Sequence, residues 1–326
     1  MAQLIRLTRT GGAEVLELTT ADRADPGPNE AWVEQEAVGV NYLDVTQRSG
    51  AVPIPLPNGL GLEGAGRVAA VGSAVRNVAV GDRVAYALGP LGSYASGRLV
   101  PAERLIKLPE ALSFDGAAAV LFKGITAQYL IKSTYQVQAG TVVLLYGVAG
   151  AVGQILAPWA KHLGATVIGV VSKPASVERA RAAGCDEALV WGACDLPAEV
   201  SRLTGGRKAD VVYDGIGRLT FATSLDCLRP RGLMVSMGAS TGAPAAVDVG
   251  TLNAKGSLYL TRPGLAAHAT NVDEYRQRAK DVFDAVATGV FKPSISRSFP
   301  LAEAARAHAL LEEGSAAGAI ILKPAA

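Results

Sequence analysis

The chain has 326 residues, of which 49% are hydrophobic and 6% aromatic, a composition typical of a globular α/β protein rich in Ala, Gly and Val. The length favours about two domains, and a formal net charge of +2 without basic runs gives no indication of a nucleic-acid partner. Cys185, Cys194 and Cys227 form no C-x-x-C pair, which argues against a disulfide framework or structural zinc and favours a reducing cytoplasm. The N-terminus lacks the long apolar core of a signal peptide.

Residues 1 to about 108 alternate short apolar runs with Gly, Pro and Asp turns, which predicts an antiparallel β module. Its clearest strands are Ile5–Leu7, Val15–Leu18, Ala31–Gln35, Gly66–Val71 and Asp82–Tyr86. We expect two further segments to lie in loops, where functional residues are frequent. They are Asn41–Asp44 and Gly59–Gly64.

A strand, a glycine turn and a helix follow one another in the middle of the chain. Residues 113–134 are predicted to be helical with a break at Lys123–Thr126, and the uncharged run Val142–Tyr146 predicts a strand buried on both faces. Gly147, Gly150 and Gly153 then turn the chain into the next helix. Free backbone N–H groups and the helix dipole make such a turn a seat for an anion, usually a dinucleotide pyrophosphate.

The specificity of this glycine motif is limited. Val148 stands where the first glycine of G-x-G-x-x-G belongs, and many glycine-rich turns bind nothing. The uncharged stretch Thr141–Ala160 also has the length of a membrane span, but Pro158 and the clustered glycines argue against that alternative.

Strands and helices alternate after the glycine turn, which predicts a parallel, doubly wound Rossmann sheet. The predicted strands are Thr166–Ser172, Ala188–Trp191, Asp210–Tyr213, Leu233–Met237 and Ser257–Thr261, and the intervening helices are Ser176–Ala183, Leu196–Leu203 and Thr220–Leu228. The remainder returns to the β module through helix Asp273–Thr288, strand Ile295–Phe299, helix Leu301–Glu313 and strand Ala319–Lys323. We therefore predict a β-rich catalytic domain (1–123 and 263–326) with a nucleotide domain (124–262) inserted into it, and an active site in the cleft between them.

The loop after the second strand of the nucleotide domain favours NADPH. An acid about 20 residues past the glycine turn would bind the ribose 2′-hydroxyl of NAD. This chain has Ser172, Lys173 and Ser176 there, and no carboxylate before Glu178. A lysine and two hydroxyl groups suit a 2′-phosphate, although Lys173 as an ordinary solvated lysine is the alternative.

These motifs together resemble the zinc-independent, zeta-crystallin-like quinone oxidoreductases of the medium-chain dehydrogenase/reductase superfamily. The resemblance covers the chain from end to end. It is carried by Val40–Asp44, Arg48–Gly50, Gly59–Gly66, Gly81–Val84, Lys123–Ala127, Val212–Gly217, Ser224–Leu228, Gly232–Ser236 and Lys255–Pro263. It implies a GroES-like β-rich catalytic domain and hydride transfer from NADPH to quinones.

The resemblance also implies roles for individual residues. Those expected at the nicotinamide half are Asn41, Lys123 and Thr126, and those at the pyrophosphate are Gly150, Ala151, Val152 and Gly153. Trp191 is expected on the adenine side, and Gly215, Met237, Gly238 and Ser240 at the carboxyl edge of the sheet. The expected substrate-cleft residues are Asn41, Tyr42 and Arg262. Alternatives remain open for four of them: a turn residue for Asn41, a snorkelling lysine for Lys123, plain core for Trp191 and a structural ion pair for Arg262.

Some positions depart from the family pattern. Ser176 stands where a lysine is frequent, and Thr46 and Val52 stand where tyrosines are frequent near the quinone, which leaves the quinone preference open. Zinc-dependent relatives place Cys near position 41 and a His-Glu pair in the glycine-rich loop, where this chain has Asn41 and Leu62-Glu63. His162, His268 and His308 are all expected in helices as surface or interface residues. Since a catalytic zinc needs about three ligands around one point, no metal is predicted.

Strand Ser257–Thr261 is predicted at the edge of the sheet, where an apolar strand invites pairing with a second copy. A homodimer is therefore expected, as the resemblance also implies. Other functions stay open: an NADPH-dependent reductase of α,β-unsaturated aldehydes or ketones, with Tyr42 as a candidate proton donor, an NADPH-binding structural or RNA-associated protein, or a relative that has lost its activity. No membrane partner is expected.

Overall fold

The computed structural model describes residues 1–324, which divide into two compact units. The first contains Met1–Ile125, Ala269–Ala287 and the residues from Pro293 onward, and the second contains Thr126–His268 and Thr288–Lys292. The second unit is therefore inserted, in sequence, between segments of the first.

The first part of the chain is rich in strands. They are β1 (Ala2–Leu7), β2 (Leu16–Ala21), β3 (Glu30–Val40), β4 (Asn58–Gly59), β5 (Glu63–Val71), β6 (Arg83–Ala87), β7 (Gly97–Pro101) and β8 (Ile106–Lys107). Two helices accompany them, α1 (Tyr42–Ser49) and α2 (Phe114–Tyr129), and 3₁₀ turns occupy Ala13–Val15 and Ala102–Arg104. Only Glu34 and Glu36 are exposed in β3, and the residues toward both ends of the strand are buried on both faces.

The second unit alternates strands and helices. A π-helical segment (Leu130–Thr134) leads into β9 (Val142–Tyr146), α3 (Gly153–His162), β10 (Thr166–Val171), a 3₁₀ turn (Pro174–Ser176), α4 (Val177–Ala182) and β11 (Glu187–Val190). Then follow α5 (Leu196–Leu203), β12 (Ala209–Asp214), α6 (Phe221–Asp226), β13 (Leu228–Ser236), α7 (Val249–Ala254) and β14 (Tyr259–Thr261). All residues of β9 are buried, as expected for a central parallel strand.

The chain then completes the first unit with α8 (Val272–Ala287), β15 (Ile295–Pro300), a 3₁₀ turn (Leu301–Glu303), α9 (Ala304–Glu312) and β16 (Ala319–Lys323). Within residues 1–324 the strands form three sheets. In the second unit the parallel order is β11-β10-β9-β12-β13-β14, so β9 and its glycine turn lie near the centre of the sheet. In the first unit the larger sheet has the order β15-β16-β3-β5-β6-β8, with β7 also paired to β3, and the smaller has the order β2-β1-β4.

These elements confirm the predicted α/β class, with a doubly wound parallel sheet and a β-rich partner unit. Two predictions about local structure were wrong, and one helix was missed. Asn41–Asp44 does not lie in a loop but begins α1, α2 runs through Lys123–Thr126 without a break, and the helix α7 was not predicted. The edge strand is also shorter than predicted, because Ser257 and Leu258 precede β14.

The uncharged stretch Thr141–Ala160 spans β9, the glycine turn and most of α3 rather than one helix. No helix in the described part of the chain combines the length and apolarity needed to cross a bilayer. Pro158 lies inside α3, which continues past it to His162.

Candidate active site

A buried carboxylate organises the polar centre of the first unit. Glu63, at the start of β5, accepts the backbone N–H of Phe122 at 2.6 Å, the ammonium of Lys123 at 2.9 Å and the side-chain amide of Asn41 at 3.1 Å. Lys123 and Glu63 form a buried ion pair. We call these three side chains the Asn41–Glu63–Lys123 cluster.

The cluster needs a glycine at position 39 of β3. A Cβ atom on Gly39 would lie 2.1 Å from Glu63 Oε2 and 2.4 Å from the carbonyl oxygen of Ala118, so no larger residue fits beside the carboxylate. A buried ion pair costs desolvation free energy and is a weak source of stability. An ammonium held by a buried carboxylate is, however, a fixed donor that can stabilise negative charge developing on a substrate oxygen.

A second chain of buried polar groups adjoins the cluster through the beginning of α1. The Asn41 N–H donates to Asp44 Oδ2 at 2.8 Å, and the hydroxyl of Tyr94 lies 2.9 Å from both Asp44 Oδ2 and His308 Nε2. His308 Nδ1 faces Arg48 Nη1 at 3.4 Å, and Arg48 forms a two-pronged ion pair with Glu312 at 2.7 and 3.0 Å. We call this the Asp44–Glu312 chain.

Burial shifts the pKa values of Asp44 and His308 in the Asp44–Glu312 chain. Desolvation raises the pKa of Asp44 to about 7, against the opposing effect of the Asn41 and Tyr94 hydrogen bonds. Desolvation and the positive charge of Arg48 lower the pKa of His308 to about 3. Sequence reasoning missed these hydrogen bonds, and the expectation of His308 as a surface or interface residue was wrong, because this residue is fully buried in α9.

The other two histidines lie elsewhere. His162 is exposed near the end of α3, as expected. His268 was expected in a helix but lies in a turn, half-buried and stacked on Tyr129 with ring centroids 4.2 Å apart.

The glycine turn of the second unit has the geometry of an anion seat. Gly147 has a positive φ of 68°, and the N–H of Gly150 donates back to its carbonyl oxygen at 2.9 Å. Within residues 1–324 the structure gives no acceptor to the backbone N–H groups of Ala151, Val152 and Gly153, which open α3. Three unsatisfied N–H groups at the positive end of a helix dipole fit a pyrophosphate.

Two glycines explain the non-standard motif. A Cβ on Gly153 would lie 2.5 Å from the Gly147 carbonyl oxygen and 2.6 Å from Val148 Cα, so α3 packs directly on the turn. Val148 is buried against β10, where a Cβ on Gly169 would lie 2.9 Å from its Cγ2. The turn has Val148 in place of a glycine, and Gly169 in the neighbouring strand β10 leaves room for the valine side chain.

The loop after β10 is basic and contains no carboxylate. Ser172 and Lys173 are exposed and Ser176 is half-buried. The first acidic side chain, Glu178, lies on α4 and pairs with Arg181. This surface fits a phosphate better than it fits a ribose hydroxyl that needs a carboxylate.

The loops after β12 and β13 are joined to each other. Asp214 accepts hydrogen bonds from the N–H groups of Ile216 and Gly217 and from the hydroxyls of Thr220 and Ser224. The N–H of Ser240 donates to the carbonyl oxygen of Gly215, and a Cβ on Gly238 would lie 2.8 Å from that same oxygen. Three predicted cofactor residues are therefore held together at the carboxyl edge of the sheet, with Met237 beside them.

The remaining predicted residues have varied surroundings. Trp191 is half-buried and packs edge-to-face on Tyr146, with ring centroids 6.0 Å apart. Thr126 lies on α2 and Tyr42 is exposed at the first position of α1. Arg262 is exposed just after β14 and has no ion-pair partner among residues 1–324, contrary to the alternative of a structural ion pair.

The donor groups do not fit a zinc ion. In the described residues 1–324, no three His, Cys, Asp or Glu side chains come together in a way that could hold a metal. Position 41 offers an amide, and Glu63 is already occupied by three N–H donors. A tetrahedral zinc needs three protein ligands around one point, which this arrangement does not provide.

A parallel sheet with an anion seat at α3 and a basic, acid-free loop after β10 defines a pyridine-nucleotide-dependent oxidoreductase. Two family models match the chain, "Alcohol dehydrogenase GroES-like domain" over residues 27–110 and "Zinc-binding dehydrogenase" over residues 151–290. The chain belongs to the quinone oxidoreductases of the medium-chain dehydrogenase/reductase superfamily.

Three relatives illustrate the similarity. A quinone oxidoreductase of Pseudomonas aeruginosa is 44% identical over 99% of this chain and 100% of its own length. The quinone oxidoreductase of Escherichia coli, solved in complex with NADPH, superposes with a TM-score of 0.96 at 42% identity, over 99% of this chain and 100% of its own. A 2-haloacrylate reductase of a Burkholderia species is 41% identical over 98% of both chains.

Proposed function

We propose that the protein is an NADPH-dependent quinone reductase. The observation that carries this proposal is the loop after β10, where Lys173 and two serines replace the carboxylate that would select NAD. The quinone oxidoreductases among its relatives, one of them bound to NADPH, support the same reading.

The cofactor-binding residues divide by the part of NADPH that each would hold. The N–H groups of Ala151, Val152 and Gly153 would bind the pyrophosphate, and Ser172, Lys173 and Ser176 the 2′-phosphate. The joined loops after β12 and β13 would line the nicotinamide half, with Asn41, Lys123 and Thr126. NADPH, when bound, supplies the hydride.

The chain's own residues then orient the acceptor and stabilise charge. The ammonium of Lys123, held in place by Glu63, stabilises the negative charge that develops on the oxygen of the reduced acceptor. Because a quinone delocalises this charge over its ring, water can supply the proton and no strong general acid is required. We propose that the reaction needs no zinc, since the donor set around Asn41 and Glu63 does not fit one.

A second candidate acceptor is an α,β-unsaturated carbonyl compound or acrylate. One specific observation favours it: Arg262 is exposed after β14 without an ion-pair partner in residues 1–324, as a group that binds a substrate carboxylate would be. A relative that reduces 2-haloacrylate points the same way. In that case the hydroxyl of Tyr42 is the candidate proton donor.

Oxidation of NADPH by a panel of acceptors tests the proposal. We expect a naphthoquinone to be reduced faster than 2-chloroacrylate or a simple enone, faster with NADPH than with NADH, and at an unchanged rate after treatment with a chelator. Metal analysis of the purified protein should find no stoichiometric zinc. Tight binding of NADPH without oxidation by any acceptor would favour a binding protein instead.

We further propose that the protein is a cytoplasmic homodimer. Cys185 and Cys227 are buried and unpaired and Cys194 is exposed and unpaired within residues 1–324, which suits a reducing compartment. The edge strand β14 exposes Tyr259 and Leu260, and the N–H of Leu258 just before it donates to Leu252 of α7. We propose that a second copy would cover β14 and α7, including the exposed Val249.

A further inference from the structure

The hydrogen bonds of the Asp44–Glu312 chain have one possible direction. Arg48 carries only donors, so His308 Nδ1 must accept, and the proton of this neutral imidazole is on Nε2. His308 therefore donates to the oxygen of Tyr94, and Tyr94 donates its own hydrogen to Asp44 Oδ2. The chain thus delivers a hydrogen bond to Asp44.

The same chain cannot conduct protons from solvent to Asp44. Arg48 interrupts it, because a guanidinium does not release its protons in a protein. Glu312, the partly exposed end of the chain, has both carboxylate oxygens bound to Arg48. The chain therefore fixes the position of Asp44 and does not supply protons.

Charge balance around Asp44 favours its neutral form. The groups that face it are Lys123 of α2, Glu63 of β5, Tyr94 from the segment before β7, Arg48 of α1, and His308 and Glu312 of α9. Lys123 pairs with Glu63 and Arg48 pairs with Glu312, while His308 is neutral. An ionised Asp44 would be a buried charge without a counter-ion, which is strongly unfavourable.

The position of the proton follows from the hydrogen bonds. Oδ2 already accepts from the Asn41 N–H and from Tyr94, whereas Oδ1 is buried without a partner. The side-chain oxygen of Gln47, one turn further along α1, is also buried without a partner. A proton on Oδ1 leaves both hydrogen bonds at Oδ2 in place and removes a negative charge from an oxygen that has no donor to stabilise it.

We propose that Asp44 is a positioning residue that carries a proton on Oδ1 in the active enzyme, and that losing this proton slows hydride transfer by adding an unpaired negative charge beside the Asn41–Glu63–Lys123 cluster. The inference rests on the proposed function, because it takes Asn41 and Lys123 as the groups that face the acceptor. An extra negative charge there opposes the charge that develops on the reduced acceptor. At an effective dielectric constant of about 20, a unit charge about 12 Å from the reacting oxygen slows the reaction by about tenfold.

Infrared spectroscopy tests the protonation state without catalysis. The holoenzyme should show the carbonyl stretch of a buried carboxylic acid at pH 6, and the band should disappear with a midpoint near pH 7. The band should be absent from Asp44→Asn and unchanged in Asp25→Asn, a control at an exposed aspartate. Absence of the band at pH 6, or its persistence in Asp44→Asn, would overturn the inference.

Single-turnover rates with saturating NADPH and a naphthoquinone test the consequence for the reaction. The wild-type rate should fall about tenfold from pH 6 to pH 9. The ratio of the two rates should be close to one in Asp44→Asn, whose amide NH₂ takes the place of the Oδ1–H group, and should keep its wild-type value in Asp25→Asn. A wild-type pH profile in Asp44→Asn would show that Asp44 has no part in it.

A second variant covers the case in which Asp44→Asn does not fold. Tyr94→Phe removes a hydrogen bond that favours the ionised form, so the midpoints of both the infrared band and the rate should move to higher pH, by about one unit. An unchanged midpoint would contradict the inference. A protein that shows the band but reduces no acceptor would overturn the proposed function, and the rate effect with it, whereas a quinone reductase without the band would overturn this inference alone.

Discussion

Lys173 is the residue on which we expect the choice between NADPH and NADH to depend. It is exposed after β10, and no carboxylate precedes Glu178 in the same loop. Lys173→Glu removes an attraction for the 2′-phosphate and adds a repulsion, which should weaken NADPH binding by about ten- to a hundredfold. NADH binding should change by less than about threefold. Fluorescence titration with both nucleotides measures the two dissociation constants.

Lys292→Glu provides the matched control, since Lys292 is an exposed lysine outside the nucleotide-binding loops. The same change of charge there should leave both dissociation constants nearly unchanged. Equal weakening of NADPH and NADH by Lys173→Glu would remove the phosphate assignment.

Asp44 and His308 make opposite contributions to the pH dependence of stability. Between pH 3.8 and about 7 the unfolded chain has released the Asp44 proton and the folded protein still holds it, so stability falls as pH rises. Between about pH 3 and 6.5 the unfolded chain binds a proton on His308 that the folded protein excludes, so stability rises with pH. The two contributions nearly cancel where the windows overlap.

Replacing either residue should therefore make the contribution of the other to the pH dependence of stability measurable. In Asp44→Asn the free energy of unfolding should fall by up to about 1.4 kcal/mol more than in the wild type for each unit of acidification between about pH 6.5 and 4. In His308→Gln it should instead fall, relative to the wild type, as pH rises from 4 toward 7. Urea unfolding at several pH values measures both slopes. Variants that keep the wild-type slope would contradict these assignments.

Local sequence was enough to propose the nucleotide-binding residues, but it was not enough to find the Asp44–Glu312 chain. Lys173 and the glycine turn lie within short continuous segments whose chemistry shows in the residue order. Tyr94 and His308 come from positions 214 residues apart, and each by itself resembles an ordinary core or surface residue. Their common role follows only from the tertiary packing of α9 against α1 and the segment before β7.

At the scale of elements, a glycine misled the prediction for α2. Gly124 was taken as a break, but a Cβ there would lie 2.6 Å from Val282 Cγ1 of α8, so the glycine permits close helix packing. The beginning of α1 was missed because Asn41 and Asp44 also suit a turn, and here they cap the helix. In both cases a residue type that is frequent in turns lies in or caps a helix.

Gly153 couples α3 to the glycine turn, and Gly153→Ala tests that coupling. The added Cβ would meet backbone atoms at 2.5 and 2.6 Å, so the turn or the helix must move. We expect a loss of about 1–3 kcal/mol of stability and a weakening of NADPH binding by at least about tenfold. Thermal unfolding and fluorescence titration measure the two effects.

Gly264→Ala is the control for this change, since its added Cβ would meet no atom within 4 Å and its φ is not positive. It should leave stability and NADPH affinity close to the wild-type values. Wild-type affinity in Gly153→Ala would show that the pyrophosphate does not approach the beginning of α3.

At the scale of the molecule, the alternation of apolar runs and amphipathic segments was sufficient to predict the parallel sheet. It could not give the full set of elements, because α7 has only six residues, none of them buried, which is too short for a helical period to show. The N–H of Leu258, the residue before β14, donates to the carbonyl oxygen of Leu252, and this hydrogen bond connects α7 to the strand.

The surface formed by β14 and α7 leads to the prediction about assembly. β14 has three residues, and pairing two such strands alone would bury too little area for a stable dimer. The exposed Val249 on α7 supplies additional apolar area beside it. The double substitution of Tyr259 and Leu260 by Lys places charge on both faces of the edge strand and should convert the dimer to a monomer.

Sedimentation velocity measures the change, with Val80→Lys as control, because Val80 is exposed and apolar but belongs to the first unit and to neither β14 nor α7. The control should sediment as the wild type does. A wild-type protein that is monomeric at micromolar concentration would exclude the dimer, and a double variant that stays dimeric would assign the interface to another surface. A shift of the strand register by one residue exchanges its two faces. Because the double variant carries a lysine on each face, such a shift cannot restore the pairing.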